Sequence, residues 1–519
     1  MVPTETEPAG PAARRDLAVR AALRRGLLTD ERPLVALLDL DGVREAARAL
    51  REAFEAVAAP GTPVLHTFAV KAGSLVPVLR LLDGLGIGCE VASPGELALA
   101  RAAGVAPQRI VLDSPAKTAA ELREAVALGV ALNVDNPQEL ARLDALLAGG
   151  EGRGGAFGIR VNPQVGGGAI DAMSTATATS KFGVPLRDPG AREWVLRAYR
   201  ERPWLTRLHC HTGSQGVPLE RMAAGVAALW ELAEEINAGA PGGRQVDTLD
   251  IGGGLPVNFA SEEVSPSFAE YAGVLRARVP GLFDGRYGLV TEFGRSLLAK
   301  AGAVLARVEY TKSAGGRAIA VTHAGAQVAV RTVFAPASWP LRLAAYGPDG
   351  RPLSGPPVPQ DVAGPCCFAG DLVARERPLP LLSPGDLVAL LDTGAYYFST
   401  PFGYNALPRP GVLGYTVSDA PPRGGPPGRS PGEAGTPSAA AGPRTVTTPA
   451  LGRAGGDGGT PVGVPPKGTS QTESGGGVRG RSLGENAVTG VGGDGSVAFT
   501  VLRRPQSTAE LVAEYGGDC

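Results

Sequence analysis

Only six of the fifty basic residues in this 519-residue chain are lysines, so each lysine is informative. Lys71 follows the apolar run Phe68-Ala69-Val70, which reads as the end of a β-strand. Apolar surroundings lower a lysine's proton affinity and make it a competent Schiff-base nucleophile. A second such run ends in His209-Cys210-His211-Thr212-Gly213-Ser214. Strand alternation sends both histidines the same way; a flat imidazole there can stack on a ring, and Ser214 can donate to a phosphate. A third run leads into Gly252-Gly253-Gly254, whose backbone N–H groups can close on a phosphate. A fourth ends in Thr291-Glu292-Phe293-Gly294-Arg295. Glu292 can pair with a protonated pyridine nitrogen and keep such a ring cationic, which makes it an electron sink. Arg295 offers a planar fork to phosphate or carboxylate. Further on, Cys366 and Cys367 precede Asp371, and Tyr396 lies in Asp392-Thr393-Gly394-Ala395-Tyr396; a cysteine can donate a proton to a carbanion.

Each feature alone has a plainer reading: a solvated lysine, a satisfied core histidine, a tight turn, a surface ion pair, an inert packed cysteine. His-x-His also hints at metal, but no third ligand follows at suitable spacing, so no metal site is assigned. The triple glycine is not the dinucleotide fingerprint, because Gly-x-Gly-x-x-Gly is absent at that point.

The elements that must position these residues form a rhythm. Short β-type runs fall near 64–70, 87–92, 109–113, 131–134, 156–161, 206–211, 247–251 and 288–292, with helical stretches between them. Eight such units predict an α/β fold, a (β/α)8 TIM barrel over 31–295; an open doubly wound sheet is the alternative. In a barrel, chemistry sits at the C-terminal ends of the strands, where Lys71, His211 and Glu292 all fall. The run 34–38 reads as a strand of either the barrel or the next unit, and Asp41 as the N-cap of the helix after it. Residues 1–30 read as a polar Arg/Ala-rich extension. Strand-like runs at 304–310, 318–323, 327–334 and 387–391 predict a second, β-rich domain of sandwich or barrel type over 296–417. Residues 496–519 supply its final strand and a helix at 507–515. The Gly/Pro/Ser/Thr-rich stretch 418–495 lacks aromatic residues and is expected to be disordered.

A formal net charge of −1 gives no electrostatic reason to expect nucleic acid or an anionic membrane as partner. Five cysteines without metal-ligand spacing argue against a disulfide framework and for a reducing cytoplasm. Neither a signal peptide nor a run of about 18 apolar residues is expected.

Taken in order, Phe68–Ala72, Ser93–Leu97, Ser180–Gly183, His209–Gln215, Asp250–Leu255, Glu292–Arg295, Gly364–Asp371, Gly394–Tyr396 and Tyr404-Asn405 resemble the fold-type III, alanine-racemase-like decarboxylases that use pyridoxal 5'-phosphate, the diaminopimelate decarboxylases above all. The resemblance implies that Lys71 carries the cofactor, His211 stacks on its ring and Glu292 pairs with its nitrogen. It implies that Ser214, Gly253, Gly254, Glu292, Gly294 and Arg295 hold the phosphate end, with Tyr396 beside cofactor and substrate. Arg295, Arg342 and Tyr346 fall at substrate-binding positions, and Cys367 becomes the proton donor, delivered across a homodimer with shared active sites. The implied function is decarboxylation of an α-amino acid, with meso-diaminopimelate to L-lysine the best single reaction. The alternatives are another amino acid in secondary metabolism, or racemisation on the same fold. Racemases place an Arg at the ring nitrogen, so Glu292 favours decarboxylation. The chain departs from the family at Phe368, where diaminopimelate enzymes carry a Glu that reads the distal amine, and also at Phe293 and Gly73.

Overall fold

The computed structural model describes residues 10–150, 155–418 and 496–517. The first strand, β1 (Leu34–Asp39), precedes nine others: β2 (Val64–Ala69), β3 (Gly88–Val91), β4 (Ile110–Leu112), β5 (Ala131–Val134), β6 (Phe157–Asn162), β7 (Val184–Pro185), β8 (Leu205–His209), β9 (Thr248–Asp250) and β10 (Gly288–Phe293). Parallel pairing runs β5-β4-β3-β2-β10-β9-β8-β6, and a β5–β6 pairing closes the ring; two-residue β7 only extends β6. This is the eight-stranded parallel barrel that the rhythm predicts. Its strands are short and buried on both faces, as parallel strands covered by helices must be.

Polar caps start the helices after these strands. Ser93 accepts from the N–H of Glu96, and Glu96 accepts in return from the N–H of Ala92. Thr118 with Glu121 and Ser267 with Glu270 form reciprocal capping boxes. The Ser-Pro-Gly-Glu stretch is thus a helix start.

The remaining strands are β11 (Gly302–Ala314), β12 (Arg317–Thr322), β13 (Leu343–Tyr346), β14 (Pro357–Ala363), β15 (Leu372–Pro380), β16 (Leu387–Leu391), β17 (Gly411–Val417) and β18 (Val497–Arg503). They form a second sheet, ordered β15-β14-β12-β11-β1-β17-β18, with β16 on β11 and β13 on β16. The run at 34–38 therefore belongs here: β1 lies antiparallel to β11 and parallel to β17. β18 pairs with β17 across the Gly/Pro-rich stretch, which, Ser418 apart, lies outside the described residues.

Three local expectations are corrected. Residues 11–24 are not a polar lead-in but a helix, α1 (Pro11–Arg24), whose Ala18, Val19 and Ala22 are fully buried in a cluster with Val35, Leu37 and Leu305. The cap of the helix Leu40–Glu55 is Asp39, not Asp41: Asp39 Oδ1 accepts from the N–H groups of Asp41 and Gly42. Residues 327–334 lie in a helix, Ala326–Phe334, not a strand. Their β-branched content suggests a strand, but the buried carboxylate of Asp371 accepts from the N–H of Ala326 at 2.6 Å and caps the turn from outside the segment.

Arg14 of α1 pairs with Asp39 at 2.7 Å, both side chains buried, and forks onto Glu45. Arg14→Ala leaves Asp39 without its cation and is expected to cost about 3 kcal/mol of stability. Urea unfolding of the variant against the parent checks this.

Candidate active site

The barrel's own register brings the site together. Ala69 lies opposite Glu90, Thr67 opposite Glu292, and His209 opposite Asp250. Lys71 follows β2 in a single tight turn, Val70–Ala72, and its Nζ donates to Glu90 Oε2 at 2.5 Å. The Lys71 side chain is 48% accessible whereas Glu90 is 2%, so the amine faces an open mouth and its partner lies in the wall. Burial pulls the ammonium's pKa down, but the negative charge of Glu90, with Tyr396 and Glu292, outweighs it and the net shift is upward.

Below that mouth Asp113, His209, Asp250 and Glu292 are all buried, with one ligating atom of each within 4.8 Å of the others. Asn133 Nδ2 donates to Asp113 at 3.3 Å and to Asp250 at 3.4 Å. Burial, then Asp250 and Asp113, drive the Glu292 carboxyl well above the usual range. Burial and Asp113 push Asp250 up to about 7. Burial would raise Asp113 too, but the neighbouring His209 and the protonated Glu292 carboxyl close by outweigh it, so Asp113 keeps its charge. Glu292 Oε1 has no hydrogen-bond partner. A buried carboxylate with an orphaned oxygen fits a cation, and a protonated pyridine nitrogen is one.

His211 lies just past β8. Its Nδ1 accepts from the N–H of Gly253 at 3.2 Å, and burial with the nearby Arg160 and Lys71 charges holds its pKa well below the ordinary value. The ring is therefore neutral, with its proton on Nε2. The triple glycine is sterically required. A Cβ on Gly253 would come within 2.0 Å of the Glu292 carbonyl oxygen, and one on Gly254 within 1.8 Å of the Gly213 carbonyl oxygen. Gly253 thus acts through close approach, its N–H being engaged by His211. Ser214 is anchored by its backbone N–H on the Met173 carbonyl. A Cβ on Gly294 would come within 2.9 Å of Ala72 Cβ and 3.1 Å of Ala69 Cβ, too close for a side chain without movement.

Arg295 is 4% exposed and lies over the rings of Trp339 and Tyr396, at 4.6 and 4.5 Å. Arg331 covers the same two rings at 5.0 and 4.8 Å. Burial lowers Arg295 to about 10. Tyr396 is tied to the barrel by its N–H on the Ala72 carbonyl at 2.8 Å and holds φ +67. Two guanidiniums share one aromatic shelf, and Arg295 Nε and one Arg331 nitrogen have no hydrogen-bond partner among the described residues, an arrangement that suits an anion.

Arg342 and Tyr346 are each held by other partners. Arg342 forks onto Asp392 with two 2.8 Å bonds and reaches Glu262, while Tyr346 is buried with its hydroxyl between Arg15 and Asp16. The Arg-to-Tyr spacing that singles them out belongs to an ion-pair network at α1. Arg331 is the residue that spacing misses, because the stretch 327–334 reads as a strand. Glu90 and Asp113 are missed as well, although both stand at strand ends where the barrel rule points.

Cys367 is exposed, and its N–H donates to Asn405 Oδ1 at 2.8 Å, while the Tyr404 hydroxyl donates to its carbonyl at 3.3 Å. Cys366 is buried, its N–H on Asp371 Oδ2 at 2.7 Å. Phe368 stacks on Phe334 with ring centres 5.5 Å apart and meets Tyr404 edge-on at 5.6 Å. No helix among the described residues is long and apolar enough to cross a membrane.

Residues 40–299 match the family model described as pyridoxal-dependent decarboxylase, pyridoxal binding domain. The diaminopimelate decarboxylase of Aquifex aeolicus is 31% identical over 363 residues, 69% of this chain and 83% of that protein. That of Pseudomonas aeruginosa is 34% identical over 346 residues, 66% of this chain and 80% of that protein. Among solved structures, Helicobacter pylori diaminopimelate decarboxylase complexed with L-lysine superposes with a TM-score of 0.64 at 27% identity, covering 77% of this chain and 94% of that one. With half its length matched by the family and four-fifths of such relatives covered, the chain belongs to the pyridoxal-dependent decarboxylases, carboxy-lyases that work on amino acids with pyridoxal phosphate as cofactor.

Proposed function

We propose that the chain decarboxylates an α-amino acid bearing a distal carboxylate, with meso-diaminopimelate to L-lysine the best single reaction. The observation that carries this reading is one barrel mouth holding both a paired lysine, Lys71 on Glu90 at 2.5 Å, and a buried Glu292 with an orphaned oxygen. Bound pyridoxal phosphate supplies an electron sink for the pair left behind when the Cα–carboxylate bond breaks. Lys71 is the amine that carries it, and Glu90 holds that amine at the mouth. Glu292 Oε1, which has no other partner, would pair with the cationic ring N–H and so relieve the crowding among Glu292, Asp113 and Asp250. Neutral His211 presents a flat face to the ring and adds no competing positive charge. Ser214, Gly254, Gly294 and the backbone of Arg295 would hold the phosphate, and Gly253 keeps the loop close to Glu292.

At the substrate end, Arg295 and Arg331 grip the distal carboxylate against Tyr396 and Trp339. Cys367 is the proton donor to Cα, acting across a homodimer whose two sites are shared. A reducing, cytoplasmic setting keeps its thiol free. Phe368 cannot accept a hydrogen bond from an ammonium. Its ring is stacked on Phe334, so the distal amine of diaminopimelate goes unread on this turn.

Carbon dioxide release from meso-diaminopimelate is therefore expected to match that from 2-aminopimelate, which lacks the distal amine, within about threefold in kcat/KM. A preference for meso-diaminopimelate beyond about 100-fold overturns the unread amine; no release from either overturns the distal-carboxylate reading.

Lys71→Ala is expected to abolish the absorbance band of bound cofactor. Cys367→Ala keeps that band and loses roughly 100-fold or more in turnover. Mixing the two inactive variants restores roughly a quarter of parental activity if each site takes Lys71 and Cys367 from different subunits. Activity that stays at zero places both residues in one subunit.

A further inference from the structure

His209 closes β8 with 0% exposure, and neither ring nitrogen has a hydrogen-bond partner. Nδ1 lies 3.5 Å from Asp113 Oδ1 and Nε2 lies 3.7 Å from Glu292 Oε2. The imidazole therefore sits between two buried carboxyl groups, one on each nitrogen, close enough for a small rotation to make both bonds.

Counting protons ties the three groups together. A neutral imidazole has one N–H and one lone pair. With N–H toward Asp113, the lone pair on Nε2 faces Glu292 and matches only a protonated Glu292 Oε2. An ionised Glu292 would set two acceptors against each other in a low-dielectric interior, which is costly. The charge on Glu292 cannot change unless His209 changes with it.

We propose that Asp113, His209 and Glu292 form a proton relay beneath the cofactor ring, with His209 as the positioning residue that lets Glu292 ionise against the ring nitrogen. This rests on the reading that Glu292 Oε1 faces that nitrogen. When Oε1 pairs with the protonated ring nitrogen, the Oε2–H bond of Glu292 breaks and an Nε2–H bond forms on His209. The resulting imidazolium lies between the carboxylates of Asp113 and Glu292 and donates to both. The proton never leaves the barrel. Burial, then Arg160, Arg207 and Lys117, hold His209 neutral against the pull of Asp113 alone, at about 3; a second ionised carboxylate reverses that balance. Asp250, the remaining acid of the cluster, is already engaged by Asn133 and by the N–H of Gly252.

The test compares two ligands of the cofactor-free enzyme by equilibrium dialysis: pyridoxal phosphate and its analogue with CH in place of the ring nitrogen. The parent is expected to bind pyridoxal phosphate at least about tenfold more tightly than the analogue, the size of one hydrogen bond to a charged group. His209→Leu removes both nitrogens. His209→Gln keeps a hydrogen-bond donor of similar reach but cannot take up a proton, and it stands in if the leucine variant does not fold. Both are expected to bind the analogue within about threefold of the parent and to lose the preference for pyridoxal phosphate. A preference retained in His209→Gln overturns the relay, since donation alone then suffices. Equal weakening of both ligands overturns it too, because His209 then only packs the barrel. If the parent itself shows no preference, the pairing of Glu292 with the ring nitrogen is wrong and the relay falls with it.

Discussion

Four carboxylates, those of Glu90, Asp113, Asp250 and Glu292, crowd the top of a closed β-barrel, and the rest of the molecule is arranged to keep them there. Like charges a few ångströms apart in a low-dielectric interior repel strongly. A loop could relieve that by moving apart. Strand ends cannot, because each is fixed by ladder hydrogen bonds on both sides, with His209 opposite Asp250 and Ala69 opposite Glu90. The strain goes instead into protonation. Glu292 and Asp250 are driven up, Asp113 keeps the charge, and Asn133 and Arg207 share what remains. A site under such tension favours a cation, and a pyridinium that needs a carboxylate is a natural complement.

The second sheet completes the site through one further buried acid. Asp371 takes the N–H of Ala326 on one oxygen and that of Cys366 on the other. It thereby joins the start of the helix that carries Arg331 to the turn that carries Cys367. Gly325 and Gly364 make this possible, since a Cβ on either would come within 2.4 Å of that carboxylate. The arginine over Tyr396 and Trp339 and the thiol on the exposed turn are therefore both positioned through the Asp371 side chain.

What the sequence reveals and what it conceals divide along physical lines. Period and strand-end position point to the barrel, Lys71, His211 and Glu292, because hydrophobic burial and chain direction are local properties of the chain. The glycines are legible for the same reason: three in a row after a strand imply close backbone approach. The helix 326–334 is not, because its cap, Asp371, lies 45 residues further on. Arg342 and Tyr346 show that spacing alone does not tell a substrate grip from an ion-pair network, since both side chains are held by such a network. The cap at Asp39 is concealed by a neighbour of the same type two residues later. Helix α1 is overlooked because its apolar stripe is made mostly of alanine, which carries little periodic signal, yet it covers Val35 and Leu37 of the second sheet.

The same constraints say where such an enzyme can change its substrate. The barrel end has no room for variation: a Cβ on Gly253 or Gly254 would come within 2.0 Å of the Glu292 or Gly213 carbonyl oxygen, and His211 is locked by the Gly253 N–H. The substrate half is built differently. Cys367 sits on a turn held by Asn405 and Tyr404, and the next residue, Phe368, stacks against the half-open rings of Phe334 and Tyr404 at the edge of the main hydrophobic core. An acid or an aromatic ring can occupy that exposed turn without touching the arginine pair on Tyr396 and Trp339. Specificity in this fold can therefore drift on the second sheet while the barrel keeps the chemistry constant.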